Sequence, residues 1–253
     1  MSLLNNHYVY TSNISELMEM FDSVLSIVYQ STPEHFIIYP PEGCKHVEFK
    51  DCEEVIDGER LPTAIESLTI TNTQFKVLDL SRFPRLKYLT IHEGWLPRHS
   101  LKSSQIVGWE HARSLLDLTV HSESLYVPAK TLELPHIERV NCLKLDADGN
   151  VFASSTLTHV SIGRLLSSWI SFDQCAKLQK IRLQLPDLSR LRWFARHINN
   201  LQGDCEGQFD AHTNDRPYTW EYSFKKIHGD TITLWQRRNP LSLGDEFTPF
   251  TFR

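Results

Sequence analysis

The feature that most constrains the fold is a recurring apolar triplet. In "LKYLTIHEGWL", residues 86–96, apolar side chains stand at the first, fourth, sixth and eleventh positions. That spacing fits neither a lone amphipathic helix nor a simply alternating strand. The triplet recurs as Cys44-Val47-Phe49, Ile65-Leu68-Ile70, Leu86-Leu89-Ile91, Leu115-Leu118-Val120, Ile137-Val140-Cys142, Leu157-Val160-Ile162 and Leu178-Ile181-Leu183. Successive starts fall 21, 21, 29, 22, 20 and 21 residues apart. Repetition at this period is the signature of a solenoid, whose repeats bury their apolar edges only against their neighbours. A fifth repeat phased on Val140, Leu143 and Leu145 would leave only 17 residues to the next start, so Ile137 is the better origin. Leu201 opens a weak eighth triplet 23 residues after Leu178, but Asp204 at its fourth position marks decay into a cap.

The pattern resembles the leucine-rich repeat, L-x-x-L-x-L-x-x-N/C-x-L in units of about 20–29 residues. "IESLTITNTQF", "LKYLTIHEGWL" and "LLDLTVHSESL" match that skeleton through Phe75, Leu96 and Leu125. "LPTAIESL", "FPRLKYL" and "LPHIERV" each place a proline shortly before the repeat start. The resemblance covers roughly residues 40 to 205. It implies an α/β solenoid with a curved parallel sheet whose concave face binds another protein. The position usually held by Asn or Cys is Cys52, Thr73, Gly94, Glu123, Leu145, Leu165 and Pro186 here. Only Cys52 and Thr73 are suited to bond the loop backbone as the family does, so an irregular convex side is expected.

The ends read as caps. Asn13 and Glu16 have capping-box spacing, and Ile14, Leu17, Met18, Phe21, Val24, Leu25 and Val28 lie on one face at helical spacing before Pro33. Residues 1–43 are therefore expected to hold a capping helix that covers the open end of a solenoid over 44–205. In 206–253, "YTWEYSFKKIHGDTITLWQRR" alternates Tyr218, Trp220, Tyr222 and Phe224, turns at His228-Gly229-Asp230, and resumes with Ile232 and Leu234. This predicts a β-hairpin cap, with "FTPFTFR" adding an edge strand blunted by Pro249.

Composition and motifs narrow the chemistry. The five cysteines, Cys44, Cys52, Cys142, Cys175 and Cys205, form no C-x-x-C pair, and two occupy triplet positions. They read as small buried hydrophobes in a reducing, intracellular compartment. No start resembling a signal peptide and no run of 18 apolar residues occurs. The motifs of metalloproteases, P-loops, dinucleotide-binding folds and serine hydrolases are absent, and "LDADGNV" lacks the spacing and distal Glu of an EF-hand. Cys205 in "GDCEG" invites comparison with the separate catalytic domain of certain leucine-rich bacterial effectors, but fewer than 50 residues follow it. A net charge of −5 with no basic stripe disfavours general nucleic-acid binding. Residues 178–253 carry 11 basic and 9 acidic residues, +2, which leaves −7 for residues 1–177 and gives the chain a mild polarity. Arg190, Arg192 and Arg196 fit the solvated face of a convex helix.

Period-two geometry then assigns the working surface. With the triplets facing inward, the residues between and after them line the other face of the sheet. The first column is His46, Ser67, Tyr88, Asp117, Arg139, His159 and Lys180. The second is Glu48, Thr69, Thr90, Thr119, Asn141, Ser161 and Arg182, and the third Lys50, Thr71, His92, His121, Leu143, Gly163 and Gln184. Short hydroxyl and amide groups in the middle column make a shallow polar trough, which suits a protein or extended peptide better than a small molecule. The candidate partner-binding residues are Tyr88, Thr90, His92, Asp117, Thr119, His121, Arg139, Asn141, His159, Lys180 and Arg182. His92 and His121 hold one slot in adjacent repeats, yet no third metal ligand is evident among their slot-mates. The expectation is a non-enzymatic, cofactor-free interaction module. A bacterial effector or toxin-neutralising protein with one dedicated partner is the rival within binding proteins, and a small hydrolase or metal enzyme at the His92/His121 region the rival outside them. The 29-residue third repeat carries an insertion, 97–114, of the kind that often sits beside a binding face.

Overall fold

A computed structural model describes residues 2–4, 7–9, 25–31, 37, 39–93, 105–129, 133–146, 149–150, 154–166, 170–172, 174–185, 204–212, 219–226, 233–238 and 248–250. The chain divides into two compact units, Met1–Leu125 and Tyr126–Arg253. Each is built around a stack of parallel strands, and the repeat of about 21 residues is that of a parallel β-solenoid.

In the first unit, β1 (Ser2–Leu4) and β2 (His7–Val9) form an antiparallel pair. The parallel ladder follows with β3 (Ser26–Gln30), β4 (His46–Lys50), β5 (Ser67–Thr71), β7 (Tyr88–His92) and β9 (Asp117–His121). Between them, β6 (Val77–Asp79) pairs in parallel with β8 (Gln105–Val107), forming a second, shorter row. In the second unit, β10 (Val127–Pro128) pairs with the far end of β11 (Arg139–Asp146), and β12 (Gly149–Asn150) with β14 (Ile170–Ser171). Here the ladder runs through β11, β13 (His159–Leu165), β15 (Lys180–Leu185) and β16 (Cys205–His212). It then turns antiparallel through β17 (Thr219–Lys226), β18 (Thr233–Arg238) and β19 (Thr248–Phe250).

The triplet dictates the core. Its first residue closes a turn before the strand: the amides of Cys44, Leu86, Leu115, Ile137 and Leu178 donate to the carbonyls of Pro41, Phe83, Ala112, Leu134 and Cys175. Its second and third residues are two apart in the strand, so both point to one side. Val47, Leu68, Leu89 and Leu118 thus stack as one buried column in the first unit, and Phe49, Ile70, Ile91 and Val120 as another. Val140, Val160 and Ile181, with Cys142, Ile162 and Leu183, do the same in the second unit. The fifth repeat is phased on Ile137: Val140 pairs with Val160, and Leu145 is buried further along β11.

The helical part of the expected fold class is corrected. The described residues contain no α-helix; helical geometry there is limited to 3-10 turns such as Gly58–Arg60, Leu80–Arg82 and Trp109–His111. Asp57 and Asp79 cap the first two by accepting from the amides of Glu59 and Ser81 at 3.1 and 3.0 Å. Buried Leu61 and Phe83 end them at once, each followed by a proline, Pro62 or Pro84, that disfavours helical backbone before it. One turn is all that fits, and the connections are otherwise extended.

The N-terminal capping helix is corrected over its last turn. Ser26–Gln30 is a parallel strand in register with β4, with Ile27 and Tyr29 buried between half-exposed Ser26 and Val28, while Leu25 is 50 % exposed. Val24-Ile27-Tyr29 is a further copy of the triplet, 20 residues before Cys44. β-Branched and aromatic side chains beside a waiting strand edge favour pairing over a helical turn. The rest of the expected helix, 13–24, lies outside the described residues.

At the other end the expected hairpin forms, with Phe224 paired to Leu234, and β19 adds the edge strand, with Pro249 opposite Trp235. β16 corrects the weak eighth repeat: Ile181 pairs with Gly207 and Leu183 with Phe209, so this rung starts at Asp204, not Leu201. The Arg190, Arg192 and Arg196 cluster lies outside the described residues, as does 97–104 of the insertion. Residues 105–111 rejoin the second row through β8 and the buried Trp109.

Candidate functional site

In the first unit, the face opposite the core carries the side chains that the triplets leave outward. Glu48, Thr69, Thr90 and Thr119 pair in register across β4, β5, β7 and β9, and all are half-buried. One side of this row is formed by His46, Ser67, Tyr88 and Asp117, with Tyr88 46 % exposed. Lys50, Thr71, His92 and His121 form the other. The expected grouping of Tyr88, Thr90, His92, Asp117, Thr119 and His121 is present as a three-by-two patch on β7 and β9. Its centre is low because threonine is short, and its corners are aromatic, acidic and imidazole groups.

Polar bonds at the strand ends hold this patch in place. Thr73 is buried; its hydroxyl donates to the carbonyl of Thr71 at 2.9 Å and accepts the amide of Cys52 at 3.1 Å. The Cys52 thiol lies 3.6 Å from the carbonyls of Tyr29 and Lys50. These are the two ladder positions expected to bond loop backbone. Two rungs later Ser122, not Glu123, does so: it is buried and accepts the amides of Ser124 and Leu125 at 3.2 and 3.3 Å. The Glu93 carboxylate joins this corner, receiving the Ser122 hydroxyl and the Glu123 amide. Ser31, Asp51 and Asn72 follow β3, β4 and β5 at one register position, all with positive φ, and the Asn72 side-chain amide donates to Asp51 Oδ1 at 2.8 Å. Lys45 and Lys87 flank Glu66 at 3.2 and 2.8 Å. Hydrogen bonds from Lys87, then Lys45, pull its carboxyl down to about 2. Being partly open to solvent, this trio marks the register more than it stabilises the fold.

In the second unit the outward rows are Arg139, His159, Lys180 and, beyond them, Asn141, Ser161, Arg182, in register across β11, β13 and β15. Arg139, Lys180 and Arg182 are exposed, and His159 is half-buried with Nδ1 2.8 Å from the Thr158 hydroxyl. Burial first, then the charges of Lys180 and Arg139, hold the His159 imidazole below its usual range. These three strands carry no carboxylate in those two rows, whereas β9 offers Asp117. Gly163 serves packing: a Cβ there would come within 3.1 Å of both the Leu143 side chain and its carbonyl oxygen. The two patches thus differ in charge, one mixed and one basic.

His92 and His121 pair in register, with ring centres 5.3 Å apart and planes tilted by 46°. Burial and the neighbouring His121 lower the His92 pKa. The described residues contain no group of three or more His, Cys, Asp and Glu able to hold a metal ion. Cys205 is buried at the start of β16, where a nucleophile could not meet substrate. No helix among the described residues is long and apolar enough to cross a membrane. Comparison with known protein families, curated proteins and solved structures finds no match to this chain.

Proposed function

We propose that the chain is a non-enzymatic interaction module of the leucine-rich-repeat type, binding a protein or extended peptide on the open faces of its parallel strands. The observation that carries this reading is the half-buried row of Glu48, Thr69, Thr90 and Thr119, bordered by the exposed Tyr88. Its three successive threonine hydroxyls offer donors and acceptors on adjacent rungs, spaced about 4.8 Å apart, and an exposed tyrosine is a preferred interface anchor. Arg139, Asn141, His159, Lys180 and Arg182 supply a separate basic surface, suited to steering an acidic partner. The repeat-type assignment draws on the triplet, the pre-strand proline and the Cys52 and Thr73 backbone bonds. All five cysteines are buried free thiols, a form that a reducing intracellular compartment preserves.

The test is capture from a lysate of the source cells by immobilised chain, read by mass spectrometry. Two variants are compared with the original, Tyr88→Ala/Thr90→Lys in the first unit and Lys180→Ala/Arg182→Ala in the second. These side chains stand outside the core, so melting temperatures should stay close to that of the original chain. A partner held by the original chain and lost by at least one folded variant supports the reading. Equal capture by all three contradicts it.

A further inference from the structure

His92 closes β7 and His121 closes β9 at the same register position of the first unit. A neutral imidazole is a nitrogen ligand for zinc, nickel and copper. Two imidazoles bound tetrahedrally to one ion, each at ~2.1 Å from a ring nitrogen, hold their ring centres about 5 Å apart. The observed separation is 5.3 Å. The parallel register thus holds the ring centres at the separation such a pair would have.

A second observation concerns the same pair. Nε2 of His121 is shut off from solvent and has no hydrogen-bond partner among the described residues. A buried polar nitrogen without a partner is unfavourable, and a metal ion is one guest that satisfies it. His92 is the more exposed residue of the two, so an ion would enter from its side. We propose that His92 and His121 form an exchangeable site for one divalent transition-metal ion of the copper, nickel and zinc class, with water completing the coordination.

The surroundings explain why such a site is exchangeable. Glu93 follows His92, but its Oε2 is engaged by the Ser122 and Ser124 hydroxyls and the Glu123 amide. Thr71, the neighbour of His92 on β5, offers only a neutral hydroxyl. Two protein ligands, where structural zinc sites use four and catalytic ones three, leave most of the sphere open to solvent. The affinity order should follow ligand-field preference, copper above nickel and zinc. The pair lies on the open-face patch of β7 and β9, and its metal binding needs no partner there.

Isothermal titration of the untagged full chain near neutral pH with copper, nickel or zinc chloride tests it. The expected result is one ion per chain, bound most tightly for copper. His92→Asn and His121→Asn should each weaken binding by more than about tenfold, since loss of a mere supporting group at a metal site already costs about 10–100-fold. His46→Asn, an exposed histidine on β4 of the same face, should leave it unchanged. Melting without metal shows whether each variant folds. A second readout needs no variant: substoichiometric zinc should shift the imidazole NMR signals of two histidines and leave the other ten in place. Equal binding by all three variants, no saturable binding, or zinc shifts spread over many rings would overturn the proposal.

Discussion

Replacing Leu118 with alanine is expected to destabilise the protein by about 2–5 kcal/mol, the range for emptying a well-packed leucine site. Leu118 is 0 % exposed and stands in register with Leu89, which itself pairs with Leu68 in the same buried column. The cavity cannot close by sliding one strand, because a one-residue slip would turn every apolar side chain of β9 outward. Urea unfolding followed by circular dichroism measures the loss, with Thr119→Ala as the adjacent control. Thr119 is half-buried on the other face, so its truncation should change stability by well under half of the Leu118 effect. Equal losses at 118 and 119 would show that β9 is not facing the core as described.

Gly58→Ala is the second large effect, and it acts through overpacking. A Cβ at Gly58 would lie 2.2 Å from the carbonyl oxygen of Val77 and 3.2 Å from its carbon. Both are backbone atoms of β6, which is tied to β8, so no side-chain rotation can relieve the clash. Moving the backbone should cost about 1–3 kcal/mol or more, read as a lower urea midpoint. Gly43→Ala is the control: a Cβ there meets nothing within 4 Å. Its effect should be neutral, and a Gly58 variant that matched it would contradict the close approach of the 57–61 turn to β6.

These effects also show what the sequence made legible. The core of each rung follows from spacing alone, because a strand offers one face to residues two apart and the first apolar residue of the triplet lies in the turn before it. The open-face rows follow from the same periodicity, which is why Tyr88 meets Asp117 and His92 meets His121 in register. β3 was hidden because Val24 and Val28 also satisfy a helical stripe, and only pairing with β4 decides between the two periods. β16 was hidden because glycine stands where the repeat has leucine: Gly207 pairs with Ile181. Ser122 took over the backbone-bonding role one position before the expected Glu123, in the rung that follows the 29-residue repeat, and that displacement leaves no mark in the spacing. Among the described residues, the helical part of the expected α/β class gave way at Gly58–Arg60 and Leu80–Arg82 to capped single turns, because Pro62 and Pro84 follow them too closely.

The register that sets both core and open face is tested most directly by counting reactive thiols. Cys44, Cys52, Cys142, Cys175 and Cys205 are all buried, and burial pushes the Cys44 thiol up to about 11, which further suppresses its thiolate. In the folded protein an aromatic disulfide reagent should therefore find almost no rapidly reacting thiol, and in denaturant all five. Thr119→Cys and Ser161→Cys, one on the open face of each unit, should each add one fast thiol to the folded count. A fast native thiol at Cys142, with Ser161→Cys unreactive, would mean that the strands present their other face and would contradict the account.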